Sequence, residues 1–250
     1  MINAEIQTQL VQITPNLKGF LALPPGGHPR PAILIYYEIF GLDEHFKELA
    51  RKFATMGYVA LVPDAIGGKV FGYDEVQTAL PAARAVTDGQ FVTHAQDAVT
   101  FLQSHSSVLP GHTGQIGFCL GGRWAFLAAT QLGSHIQATV AYYGGGIDSK
   151  DPRYAAVPSL LPNVAGIQSP LLLHYGAQDT AITPEEIGRI TTALAASGKT
   201  FGVHVFSGAG HAFANDRRAS HNPAVAADAW NLTMAFFQRY LGAAEIPAQS

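Results

Sequence analysis

The chain has 250 residues, of which 48% are apolar and only 13% charged, with a net charge of −3. That length bounds one large domain or two small ones, and the charge content lies well below the roughly 25% of an average domain. No basic stripe points to a nucleic acid, and no apolar run reaches the roughly 18 residues of a membrane span. Met1-Ile2-Asn3-Ala4-Glu5 shows no basic region followed by an apolar core, so no secretory signal is read there. The single cysteine, Cys119, excludes an internal disulfide and suits a reducing, cytoplasmic setting. Histidines number ten, yet no H-x-x-x-H or C-x-x-C pair stands out, so neither a metal nor a cofactor is expected.

In chain order, Ala4 to Val11 alternates as an edge strand and Leu17 to Leu23 as its hairpin partner. Ala32 to Tyr37 is a continuous apolar run, the mark of a strand covered on both faces. Phe46, Leu49, Ala50 and Phe53 repeat at helical spacing, and Val59 to Val62 is a second buried strand. Residues 65–86 are the least periodic stretch, with a short helix over Ala79 to Val86, and are expected to cross the sheet edge and supply pocket walls. Gln90 to Ser104 is helical, and Pro110 to Gly114 reads as a turn leading into the strand Gln115 to Phe118. Further strands are expected at Ala138–Tyr143, Pro170–Gly176 and Phe201–Phe206, with a proline-punctuated loop over residues 147–167. Thr183-Pro184-Glu185-Glu186 predicts a helix start in which Glu186 completes a capping box. The last helix, Pro223 to Leu241, is expected to bury Val225, Ala229, Leu232, Phe236 and Tyr240, with residues 243–250 fraying beyond it. The alternation of strands and helices favours a single domain over residues 1–250.

The chain is organised around Gly117-Phe118-Cys119-Leu120-Gly121-Gly122. A strand precedes this stretch and a helix follows it. That is the setting of a nucleophile elbow, whose usual G-x-S-x-G holds cysteine here. Glycines flank the nucleophile because strand and helix close up on both sides of a sharp turn. The helix N-terminus favours the thiolate. Asp179 and His211 lie at the ends of two later strands, in the chain order nucleophile, acid, histidine that α/β-hydrolases use. In a parallel sheet all three meet at the carboxyl edge. Cys119 is then the nucleophile, His211 the acid–base and Asp179 its orienting carboxylate. The N–H groups of Leu120 and Ile39 are the expected oxyanion hole.

Five separated motifs extend this reading: Tyr37-Glu38-Ile39-Phe40-Gly41, the elbow, Tyr142-Tyr143-Gly144, Gly176-Ala177-Gln178-Asp179 and Gly210-His211-Ala212-Phe213. Together they resemble the dienelactone hydrolase family (carboxymethylenebutenolidases) over about Lys18 to Leu241. The resemblance implies an α/β-hydrolase fold, with a mostly parallel sheet of about eight strands, the first hairpin antiparallel and helices on both faces. It also implies that Glu38 holds the cysteine at rest and helps to generate the thiolate when substrate arrives. Family members that act on dienelactone itself bind its carboxylate with two arginines, one of them four residues after the catalytic histidine. Here that position is Asn215, a neutral side chain, and Arg84 is the candidate for the other arginine. A less acidic small lactone or ester is therefore expected as the partner molecule, cleaved by a monomer or homodimer. Tyr143 and Phe213 are further candidate pocket residues, although buried aromatics more often serve the core. An acyl transferase or thioesterase with the same triad, and a redox-sensing pseudoenzyme, are the competing readings.

Overall fold

The apolar runs that lack alternation occupy the middle of the sheet. A computed structural model describes residues 5–150, 154 and 156–242. Its strands are β1 (Gln7–Thr14), β2 (Leu17–Leu23), β3 (Arg30–Tyr36), β4 (Val59–Pro63), β5 (Val108–Phe118), β6 (Ala138–Tyr142), β7 (Leu171–Gly176) and β8 (Phe201–Phe206). Its helices are α1 (Glu44–Thr55), α2 (Val76–Arg84), α3 (Asp88–Ser104), α4 (Leu120–Gln131), α5 (Pro184–Ala196) and α6 (Pro223–Leu241). The strands form one sheet in the order β1-β2-β4-β3-β5-β6-β7-β8. β2 runs antiparallel to both β1 and β4, while the pairings from β4 through β3 to β8 are parallel. This is the α/β-hydrolase arrangement that the motifs implied.

Each residue of β4, β6 and β7 is buried, because helices cover both faces of these strands. On one face Phe53 of α1 meets Trp230 and Phe237 of α6, with ring centres 5.1 and 6.1 Å away. On the other face α3, α4 and α5 pack, and Phe91 stacks on Trp124 at 4.7 Å. Among the described residues no helix is long and apolar enough to cross a membrane.

Several elements depart from the sequence reading, each for a local reason. The expected turn at Pro110–Gly114 lies inside β5 as an outward bulge. Arg30 pairs with Val108, but Ala32, two residues on, pairs with Thr113, five residues on. Thr183 caps α5 by accepting the Glu186 N–H at 3.2 Å, yet Glu186 does not return the bond. Its carboxylate turns inward and accepts from the N–H groups of Gly146 and Asp148. The reciprocal capping box sits instead at the start of α3, between Thr87 and Gln90. The buried face of α6 is Ala229, Thr233, Phe237 and Leu241, one position on from most of the expected residues. The polar Thr233 takes a core position because Tyr142 and His174 offer its hydroxyl partners at 2.7 and 3.2 Å. Helix α2 begins three residues before the expected Ala79, and the loop after β6 contains a 3-10 turn at Leu161–Gly166. Ala4, residues 151–153 and 155 of the proline-punctuated loop, and the tail 243–250 lie outside the described residues.

The topology decides where chemistry can occur. Parallel strands deliver their following residues to one edge of the sheet. Glu38 follows β3, Cys119 follows β5, Tyr143 follows β6, Asp179 follows β7 and His211 follows β8. Residues separated by more than 170 positions in sequence are thereby brought together.

Candidate active site

The elbow is tight enough to exclude side chains on both flanks. A Cβ on Gly117 would overlap the Gly121 carbonyl oxygen, and one on Gly121 would overlap that of Tyr36. Cys119 itself takes φ 55° and ψ −116°, a conformation that costs a non-glycine residue on the order of 1–3 kcal/mol. The surrounding ladder holds it there. The Cys119 N–H donates to Tyr142 O at 3.0 Å, and the Tyr143 N–H donates to His174 O at 2.7 Å. The other non-glycine residues with positive φ among the described residues are Tyr143 at 38° and Ala212 at 60°. All three strained positions belong to this one site.

Cys119, His211 and Asp179 stand in line. His211 Nε2 lies 3.1 Å from the Cys119 sulfur, and His211 Nδ1 lies 2.7 Å from Asp179 Oδ2. The second carboxylate oxygen of Asp179 accepts from the N–H groups of Ala181 and Ile182 at 2.8 and 3.2 Å. A carboxylate fixed at both oxygens fixes the imidazole, so that Nδ1 donates to Asp179 and Nε2 faces the sulfur. Burial disfavours the imidazolium. The Cys119 sulfur and the Asp179 carboxylate outweigh burial and push the His211 pKa well above the ordinary histidine value. The Tyr143 ring packs beside the imidazole with centres 5.2 Å apart.

Glu38 is 1% exposed and lies among a second set of partners. It accepts from Tyr143 Oη at 3.4 Å, from Asn215 Nδ2 at 3.4 Å and from Arg218 Nη1 at 3.2 Å. Burial raises its pKa, and the Arg218 charge opposes that rise. Asn215 also donates to the hydroxyl of Tyr73, which donates in turn to Asp43 at 2.6 Å. The Arg218 guanidinium lies over the Phe40 and Tyr73 rings, 5.0 and 5.3 Å from their centres. The hydrogen bond of the Cys119 sulfur goes to His211 and those of Glu38 go elsewhere, so this structure differs from the resting contact that the resemblance implies.

A cavity of about 530 Å³ opens over the sulfur. Cys119, His211, Leu120 and Ile39 border it. Leu120 is the first residue of α4, where a helix N–H has no partner within its own helix. The walls are mostly apolar: Val76, Leu80 and Ala83 of α2 face Trp124, Val157 and Pro158. The irregular stretch before α3 thus contributes pocket walls, as its composition suggested. Arg84 lines the cavity, its guanidinium carbon 5.8 Å from the centre of the Tyr154 ring. Tyr143, Phe213 and Asn215 do not line it. All three are fully buried: Tyr143 packs beside His211, Phe213 packs on Tyr143, and Asn215 is hydrogen-bonded to Glu38. Among the described residues no group of three or more His, Cys, Asp or Glu side chains is arranged to hold a metal.

Sequence reasoning missed Arg123, and it found Arg218 near the family's arginine position but gave it no role. Arg218 lies seven residues after His211, outside the register in which the family's arginine was sought, and only the path of the loop brings it back to Glu38. Arg123 sits at the start of the apolar helix after the elbow and carried no motif.

The model of the "Dienelactone hydrolase family" matches residues 17–241. A protein of Synechocystis sp. named as a candidate carboxymethylenebutenolidase is 31% identical over 96% of this chain and 100% of its own length. One of the same name from Methylorubrum extorquens is 33% identical over 90% of this chain and 77% of its own. The crystal structure of a candidate dienelactone hydrolase from Klebsiella pneumoniae superposes with a TM-score of 0.85 at 28% identity, covering 94% of this chain and 99% of that one. The chain belongs to the dienelactone hydrolase family and is a hydrolase of carboxylic esters or lactones.

Proposed function

We propose that the protein hydrolyses a small, uncharged lactone or ester through a thioester on Cys119. The Cys119 thiolate attacks the carbonyl carbon, and the new oxyanion is received by the N–H groups of Leu120 and Ile39. The His211 imidazolium gives its Nε2 proton to the departing alkoxide oxygen as the C–O bond breaks. Neutral His211 then takes a proton from water, which attacks the thioester. The carboxylic acid leaves, and the sulfur and the imidazolium recover their charges. Asp179 holds the ring and stabilises its charged form throughout. Glu38, raised in pKa by burial, serves as a proton store that turns between the sulfur at rest and Arg218 in the active state.

The observation that carries this reading is the line of sulfur, imidazole and carboxylate at 3.1 and 2.7 Å on the border of an apolar cavity. A neutral Asn215 that is already bonded to Glu38 offers no charged clamp for a substrate carboxylate. The site is assembled within one chain, so a monomer suffices. A catalytic thiol suits a reducing compartment, the cytoplasm. The test is a panel of p-nitrophenyl esters, simple lactones and dienelactone assayed on the wild type and on Cys119→Ala. Neutral esters or lactones should turn over best, and Cys119→Ala should abolish turnover of all of them. Strong preference for dienelactone would overturn the substrate reading, and activity in Cys119→Ala would overturn the nucleophile.

A further inference from the structure

Arg123 is the fourth residue of α4, one turn beyond the nucleophile, and its side chain is 4% exposed. A buried guanidinium requires partners for its charge and its donors. Arg123 finds both on three separate segments. Nη1 and Nη2 grip the two oxygens of Asp88, at the first position of α3, at 2.6 and 2.8 Å. Nε donates to Gly146 O at 3.0 Å in the loop after β6. Nη2 also donates to Pro158 O at 3.2 Å, midway along the same connection. Thr87 and Asp88, Gly145, and Val157 and Pro158 all line the cavity over Cys119. One side chain therefore fastens three pieces of the cavity wall to the nucleophile's own helix. Glu186 secures the middle piece from behind, accepting from the Gly146 and Asp148 N–H groups.

A cation bordering a substrate cavity invites the reading of an anion receptor, but the geometry is against it. The fork already has a carboxylate in bidentate contact, which cancels its charge and occupies the face an incoming carboxylate would use. What remains towards the cavity is a mostly apolar wall, whose other cation, Arg84, lies against the Tyr154 ring. We infer that Arg123 is a positioning residue that sets substrate selectivity: by clasping Asp88, Gly146 and Pro158 it holds open an apolar chamber for the larger, uncharged part of an ester or lactone. This inference rests on the proposal that Cys119 is the nucleophile in this cavity. It goes beyond that proposal in naming the side chain that shapes the chamber and the substrate class the chamber admits.

A positioning role separates from a charge role, and from a general loss of folding, by its dependence on acyl length. Lysine keeps the charge but cannot grip Asp88 bidentately while reaching two carbonyls. Methionine fills the space without charge, and Asp88, at 33% side-chain exposure, can then turn to solvent. The experiment compares wild type, Arg123→Lys and Arg123→Met on p-nitrophenyl acetate, p-nitrophenyl octanoate and a hemisuccinate ester, with melting temperatures measured in parallel. For both variants the KM for octanoate should rise about tenfold, while acetate and hemisuccinate kcat/KM stay within about threefold of wild type. Equal losses on acetate and octanoate would make Arg123 merely structural. Wild-type selectivity in Arg123→Lys would show that the charge and not the fork is what matters. Selective loss on hemisuccinate would make Arg123 an anion receptor. Each of these results overturns the inference. If Arg123→Met does not fold, Arg123→Lys alone decides it. Failure of the underlying reading has a different signature, acetate turnover that survives Cys119→Ala.

Discussion

Two arginine–carboxylate pairs flank Cys119, and they are built differently. Arg123 and Asp88 make a double contact at 2.6 and 2.8 Å, with the cation buried, the anion partly exposed and two carbonyls taking further donors of the same guanidinium. Arg218 and Glu38 reverse the arrangement. The carboxylate is the buried member, the arginine is 23% exposed, and a single contact of 3.2 Å joins them. The remaining bonds to Glu38, from Tyr143 and Asn215, are long at 3.4 Å. A bidentate pair whose donors are further engaged is a fixture. A buried carboxylate with one cation at its open side and a raised pKa can release that cation once it is protonated, which is what a proton store requires.

The comparison breaks most sharply at Arg218. Replacement by Gln leaves Glu38 buried without a cation, so kcat/KM on any ester should fall on the order of 100-fold, where Arg123→Met leaves acetate nearly unchanged. Equal effects of the two substitutions on acetate would erase the distinction between fixture and store. Next comes Glu38→Gln, which should lower kcat/KM about tenfold while raising the melting temperature at pH 7. The folded-state pKa of Glu38 lies above its unfolded value, so the charged form costs stability. That cost is full above the folded pKa and disappears as pH falls through the unfolded value of about 4.5. The gain in melting temperature should therefore vanish near pH 4, and a gain that persists there would contradict the assignment.

The histidine gives a pH signature of opposite sense. Its folded pKa is raised, so the imidazolium stabilises the native state fully below the ordinary value of about 6.5, and that contribution is lost as pH rises through the folded pKa. NMR titration of the imidazole should place His211 well above that ordinary value, and kcat/KM should fall on the alkaline side only as this proton is lost. A His211 titration at an ordinary value would remove the ion pair from the account. The smallest effect concerns strain. Ala212, at φ 60°, should accept glycine with a stability gain of about 0.5–1 kcal/mol by chemical denaturation. A loss would mean that the methyl packing outweighs the backbone.

The sheet and the line of Cys119, His211 and Asp179 were legible because each rests on a local signal. Glycines flank an elbow, a buried strand ends in a polar residue, and strand–helix alternation implies a parallel sheet. The partners of those residues were not legible. Arg123 reads as one more residue of an apolar helix, since its acceptors lie 23 and 35 positions away. Asn215 stands where a family arginine was sought, but the chain from His211 to α6 turns so that Arg218 reaches Glu38 instead. The buried face of α6 was displaced for the same reason. Thr233 is a poor core residue until Tyr142 and His174 are known to lie opposite it. Local pattern places the elements, whereas the pairing of polar side chains inside them depends on contacts the sequence does not display.

The account turns on Cys119 carrying the acyl group, and rapid-quench mass spectrometry of the intact protein during turnover of p-nitrophenyl acetate tests it most directly. One acetyl group should appear within the first turnover, map to the peptide containing Cys119 and be released by neutral hydroxylamine, as a thioester is. It should be absent from Cys119→Ala. Turnover with no adduct, or an adduct on another residue, would contradict the mechanism.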